Sequence, residues 1–203
     1  MNIGRNDIDW RNLSHDEIDR IIAERIEADD RRIEASGGKK PKRVGYILER
    51  IAEINNLREA DREAQDGKVK KNRFIRRHNL HPEEDLRALQ LMILTLDFPA
   101  PDYSVMKVRS DAGKVRDIVK QKYFPWRILH HAIMRVIGED IYKSLIYDTS
   151  ACIKGKGLHF GVRRMKSFLR RYPEYKWFVK TDFKKSLSSD TSTMLNLMFF
   201  AVP

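Results

Sequence analysis

Apolar positions fall at helical spacing through the first hundred residues and then change to the alternation expected of strands. Ser14-His15-Asp16-Glu17 has the form of a capping box and predicts a helix to about Ala35 that buries Ile18, Ile21, Ile22 and Ile26. The opposite face is dense in Asp, Glu and Arg and reads as solvated. Ser36 to Lys42, with two glycines and Pro41, reads as a linker, so residues 1–40 are expected to form a helical appendage. A second helix is predicted over Val44, Ile47, Leu48, Ile51, Ile54 and Leu57, closing at Asp66-Gly67. A short basic helix from Val69 to Arg77 follows. His81-Pro82-Glu83-Glu84 opens the next, with Leu86, Leu89, Ile93 and Leu94 as its buried stripe and Phe98-Pro99 as its stop.

Beyond Tyr103, Val105-Met106-Lys107-Val108-Arg109 and Val115-Arg116-Asp117-Ile118-Val119 flank Ser110-Asp111-Ala112-Gly113, the pattern of a β-hairpin. Alternation puts Lys107 and Arg109 on one face, which Arg116 could join from the partner strand. Such a cluster suits phosphate, although a solvated basic strand face explains it equally well. Pro125 is expected to start a long helix with Leu129, Ile133, Val136, Ile137, Ile141 and Leu145 inward. His130 and His131, being adjacent on it, face different directions, so one is expected to be packed and the other polar. A further helix, after Gly157, carries Val162, Met165, Phe168 and Leu169 on its expected inner face and Arg163, Arg164, Lys166, Arg170 and Arg171 on its outer one. Finally, Trp177-Phe178-Val179 predicts a short buried strand that delivers Asp182 at its end among Lys180, Lys184 and Lys185. A carboxylate there suits a hard divalent cation, or simply a surface ion pair.

Composition sharpens this outline. The 203 residues carry a net charge of +11, and Lys107 to Lys185 alone holds 20 Lys and Arg against 7 Asp and Glu. The basic charge thus belongs to the C-terminal half, and it points to a polyanionic partner. No apolar run is long enough to span a membrane, and no signal-peptide pattern opens the chain. A lone cysteine, Cys152, cannot form an internal disulfide, so a reducing cytoplasm is the expected compartment. The stretch Lys154-Gly155-Lys156-Gly157 ahead of a helix allows close approach of backbone N–H groups to a phosphate, without being a P-loop.

Taken in order, the basic hairpin, Tyr-Phe-Pro-Trp-Arg-Ile-Leu-His-His-Ala-Ile (residues 123–133), Asp-Thr-Ser-Ala-Cys-Ile-Lys-Gly-Lys-Gly-Leu-His (148–159) and Lys-Thr-Asp-Phe-Lys-Lys (180–185) closely resemble bacterial reverse transcriptases of the group II intron, retron and diversity-generating types. The resemblance covers about residues 44–185 and implies an α+β, mostly helical fold: reverse-transcriptase fingers with a basic β-hairpin and the first palm strand. It divides the chain into the appendage 1–40, helical fingers 41–100, hairpin, helices and palm strand 101–185, and a tail 186–203. The implied activity is RNA-directed DNA synthesis, a nucleotidyl transfer from dNTP onto a DNA primer along an RNA template, with two Mg²⁺ ions.

By the same resemblance Asp182 is the first catalytic aspartate and a metal ligand, and the Phe183 carbonyl is a second ligand. Arg116, and Lys107 or else Arg109, hold the dNTP phosphates. Lys154, Lys156 and His159 lie near the template. The family continues after Lys185 with aromatics and later Tyr-x-Asp-Asp, whereas here a Ser/Thr-rich run and an apolar tail follow. The expectation is therefore a truncated fragment, inactive alone, with a marginal apolar sheet edge. The alternative is a non-catalytic RNA-binding fingers module, and a helix-turn-helix regulator is disfavoured by the hairpin.

Overall fold

The computed structural model describes residues 8–36, 45–68, 72–100, 103–109, 115–174, 177–184 and 194–201. The chain is α+β and mostly helical, and it divides into two compact units, residues 1–141 and 142–203.

The first unit begins with a 3₁₀ turn, Trp10–Asn12, and α1, His15–Ala35. The capping box forms as its sequence predicts: Ser14 N–H donates to Glu17 at 2.8 Å, and Glu17 N–H donates to the Ser14 hydroxyl at 3.4 Å. This segment is no appendage. Trp10, Ile18 and Ile22 are buried in the same core as Leu57, Leu89 and Ile128, because an indole and two isoleucines on one face gain more by joining that core than by staying wet.

The helix expected from Val44 to Asp66 is two helices, α2 (Ile47–Ala52) and α3 (Ile54–Gln65), broken at Glu53, whose backbone is extended (φ −55°, ψ 128°). Side chains take up the carbonyls that the break releases. Asn56 Nδ2 donates to the Ile51 oxygen at 3.0 Å, and Gln90 Nε2 donates to the Ala52 oxygen at 3.0 Å. Gly67 takes a positive φ of 68° where the chain leaves α3, in keeping with the expected cap.

Next come α4, Arg73–His78, and α5, Pro82–Thr95. Pro82 stands in the first turn of α5, and Leu86, Leu89, Ile93 and Leu94 are all buried as the spacing predicts. The antiparallel strands β1 (Tyr103–Arg109) and β2 (Val115–Gln121) form the hairpin. Regular helix does not begin at Pro125. An irregular turn, Tyr123–Arg127, holds Phe124 extended, and α6 (Ile128–Ser144) follows. Ile128, Leu129 and Ala132 are buried, while Ile141 and Leu145, assigned inward by periodicity, are exposed.

The second unit holds the end of α6, then α7 (Leu158–Arg171), β3 (Trp177–Lys184) and β4 (Met194–Ala201). None of its described side chains is fully buried. Val162, Met165, Phe168 and Leu169 are exposed rather than inward, and so is Val179 on the strand expected to be buried. Spacing identifies an apolar face; it does not supply the surface that covers it. The apolar tail, for its part, is ordered as β4, paired antiparallel along the whole of β3, so β3 does not stand alone. Lys185 to Thr193, including Asp190, lie outside the described residues.

Candidate nucleic-acid interface

The hairpin is anchored where it meets the helices. Tyr123, two residues past β2, is buried, and its hydroxyl donates to the Asp61 carboxylate and, at 3.2 Å, to the Asp61 carbonyl oxygen. Asp61 also accepts from Gln65 Nε2 at 2.9 Å. Buried His78 completes the cluster. Its Nδ1 is 2.7 Å from Asp85 Oδ2, and its Nε2 is 3.2 Å from Asp61 Oδ1, close enough for an ion pair though without hydrogen-bond alignment.

Burial works to lower the His78 pKa, but bonding and attraction to Asp61 and Asp85 outweigh it and raise the value above the ordinary one. Burial works to raise that of Asp61, but His78, Tyr123 and Gln65 hold it below the usual carboxylate range. Burial, with Asp61 as acceptor, drives the Tyr123 phenol far upward, so it stays a donor. Sequence reasoning missed this cluster, because its members come from α3, α4, α5 and the turn after β2. The short basic helix that carries His78 was its one local signal.

Seven cross-strand pairs build the hairpin, and Lys107, Arg109 and Lys120 on it are exposed. The register sets Lys107 opposite Asp117 and Arg116 opposite Val108. Arg116 is therefore out of phase with Lys107 and Arg109 in the register, and the expected three-cation face is corrected to two, with Asp117 opposite Lys107 as a counter-charge. The loop from Ser110 to Lys114 and the Arg116 side chain lie outside the described residues.

Of the two adjacent histidines on α6, His130 is exposed. His131 is half-buried with Nδ1 3.7 Å from Glu63 Oε2, and burial together with the Arg127 charge lowers its pKa.

In the second unit the glycine-lysine run forms a tight turn. Lys156 N–H donates to the Ile153 oxygen at 3.0 Å, and Gly155 takes a φ of 80°, open to glycine at little cost. Lys156 does not face outward as a phosphate ligand would. Its ammonium donates to the Tyr147 carbonyl at 2.8 Å and sits 4.5 Å from the Tyr147 ring centroid and 5.3 Å from that of Phe160. Lys154 and His159 are exposed, the latter in the first turn of α7. Arg163, Lys166, Ser167, Arg170 and Arg171 line a shallow basic depression of about 470 Å³ on α7, while Arg164 is taken up by Asp148.

Asp182 and Phe183 lie within β3, opposite Asn196 and Leu195, with Lys184 closing the strand after them. Their side chains lie outside the described residues. A pair of divalent ions needs several carboxylates around it. Among the described residues no group of three or more His, Cys, Asp or Glu side chains comes together. The two ligands that the resemblance implies, the Asp182 carboxylate and the Phe183 carbonyl, fall short of that donor set by themselves.

Lys107 and Arg116 belong to the first unit; Lys154, Lys156, His159, Asp182 and Phe183 belong to the second. Among the described residues no helix is long and apolar enough to cross a membrane. No family model and no curated protein matches the chain.

Proposed function

We propose that the chain is a nucleic-acid-binding unit of reverse-transcriptase type, the fingers and first palm strand, that grips the phosphates of an RNA template and DNA primer. The observation that carries this reading is the exposed β1–β2 hairpin with Lys107, Arg109 and Lys120 on it. Order adds support: the glycine-lysine turn, the basic face of α7 and the strand bearing Asp182 follow along the chain. In this reading Arg116 and Lys107 meet dNTP phosphates, Lys154 and His159 lie along the template, and Asp182 is the first of the magnesium-binding acids. When bound, Mg²⁺ would supply charge stabilisation at the attacking and leaving oxygens. Lys156 contributes by shaping its turn. The cytoplasm is the compartment that goes with a single exposed thiol, Cys152.

A non-catalytic RNA-binding module is the second reading. It is favoured by the lone acid of β3, whose register partner on β4 is Asn196 rather than another acidic residue.

Fluorescence anisotropy with single-stranded RNA over a salt series tests the binding claim. Affinity should fall steeply with salt, and Lys107→Gln with Arg109→Gln should flatten the slope by ~0.7 for each phosphate that is no longer neutralised. An unchanged slope would remove the hairpin from the interface. Primer extension with dNTP and Mg²⁺ should give no product for this chain, and Asp182→Ala should leave RNA binding as it was. Incorporation that Asp182→Ala abolishes would replace the second reading with a working polymerase.

A further inference from the structure

Among the described residues, α7 is held to its own unit through the side that carries Phe160 and Arg164. Phe160 meets the Tyr147 ring edge-on with centroids 5.7 Å apart, and Arg164 pairs with Asp148 and lies 5.1 Å from the Tyr147 centroid. The face turned away from that contact carries Leu158, Val162, Met165 and Leu169, spaced i, i+4, i+7 and i+11, with Phe168 at its border. All five are exposed, from 79% at Leu158 to 40% at Phe168. Apolar surface gathered on one helix face in this way marks a contact site.

Charge decides what that face fits. None of the 14 residues of α7 is acidic, and five are Lys or Arg. Asp148 answers Arg164, whereas Arg163, Lys166 and Arg170 are exposed and make no ion pair among the described residues. They stand at i, i+3 and i+7, a basic row along one border of the apolar stripe. A partner that satisfies both must be anionic and apolar at once. Nucleic acid would take the cations and leave the stripe in water. An anionic bilayer surface takes both, because apolar side chains enter the acyl boundary while long basic side chains reach the lipid phosphates. An exposed helix face is convex, and a fluid surface closes over it without a matching groove. Among the described residues no helix is long and apolar enough to cross a membrane, so α7 would lie on the bilayer rather than span it.

We infer that α7 is a membrane-surface helix, which lies in the interface of an anionic bilayer with Leu158, Val162, Met165 and Leu169 inward and Arg163, Lys166 and Arg170 on lipid phosphates. The inference goes beyond the proposed function and does not rest on it, since neither the hairpin nor Asp182 takes part. The basic row can serve RNA or lipid, but RNA has no use for the stripe.

Co-sedimentation of the full chain with vesicles of phosphatidylcholine, alone or mixed with phosphatidylglycerol, tests it. The chain should pellet with the anionic vesicles and not with the neutral ones, and less so as salt rises. Leu158→Ser should weaken that binding about tenfold and Met165→Ser about fivefold, and neither should change the affinity for single-stranded RNA. Lys166→Gln and Arg170→Gln should each weaken it about fivefold at low salt. Arg20→Gln, which removes the same charge from an exposed position on α1, should have no effect. A chain that does not pellet with anionic vesicles overturns the inference. So does pelleting that ignores both Leu158→Ser and Met165→Ser, in variants with unchanged circular dichroism, because attraction by charge alone would then suffice. Failure to pellet, with Leu158-dependent binding of an acidic amphipathic peptide instead, would give the face to a protein and overturn the lipid assignment. Vesicle binding by a chain that binds no RNA would uphold the helix and sink the proposed function; RNA binding by a chain that ignores vesicles would do the reverse.

Discussion

Replacing Asp61 by asparagine keeps the shape of the hairpin's anchor and removes one of its charges. In the native chain Asp61 is 8% exposed, accepts from Tyr123 and Gln65, and lies 3.2 Å from the Nε2 of a His78 that is itself 3% exposed. Asp61→Asn leaves the imidazolium with one carboxylate, Asp85, and turns the bond from Tyr123 into a neutral one. Removing one partner from a buried charged cluster costs about 3 kcal/mol, toward the low end for a full break because the amide still accepts. At ~2–4 °C per kcal/mol for chains of this size, the melting temperature should drop by about 6–12 °C.

Acidity gives the test its sign. His78 has a raised pKa in the folded chain, so its contribution is whole below about pH 6.5 and is lost as the pH climbs through the raised value. Asp61 has a lowered one, so its contribution is present above about pH 3.9 and is lost as the pH falls through the depressed value. Native stability from this cluster should therefore be greatest between these limits and decline on the alkaline side. Melts followed by circular dichroism at about pH 5.5 and about pH 8.5 should show the larger gap between native and variant at the acid end. A gap of the same size at both, or a His78 proton resonance that titrates at or below the ordinary histidine value, would refute a charged anchor.

Ser14→Ala removes the hydroxyl that caps α1 and should lower the stability read by urea unfolding by about 1 kcal/mol, with an unchanged m-value. Gln90→Leu keeps the volume at a 1% exposed position but abandons the Ala52 carbonyl at the end of α2. It should cost ~1–3 kcal/mol in the same assay, and a neutral result would mean that the break at Glu53 relaxes to feed that carbonyl another donor.

What could be read from the chain was local. The Ser14 box, Pro82 ahead of its acids, the valine-rich arms of the hairpin and the glycine near residue 67 each act within a few residues, and each formed where its chemistry placed it. Misreadings came from partners distant in sequence. Glu53 interrupts a continuous apolar stripe because Asn56 and Gln90 are there to take the released carbonyls. Trp10 lies in a polar terminus yet is 3% exposed, covered in part by Arg25, whose guanidinium carbon is 5.7 Å from its ring centroid. Arg116 left the expected face because register is set by pairing across the hairpin, and alternation within one strand does not fix it. Lys156 looked ready for a ligand because nothing in its own tripeptide reveals the Tyr147 carbonyl that holds it. On α7, Val162, Met165, Phe168 and Leu169 had the spacing of a buried stripe and yet are exposed among the described residues.

The hairpin is a ribbon of two strands with no third beside it among the described residues, so each strand leaves one row of backbone amides and carbonyls open. Val105, Val115 and Val119 are more than half exposed along it, which makes the ribbon an inviting template for a further strand from any neighbouring molecule. Lys107, Arg109 and Lys120 stand guard by mutual repulsion between copies. Concentrated salt screens that repulsion, so raising the ionic strength invites the ribbon to stack upon another copy of itself.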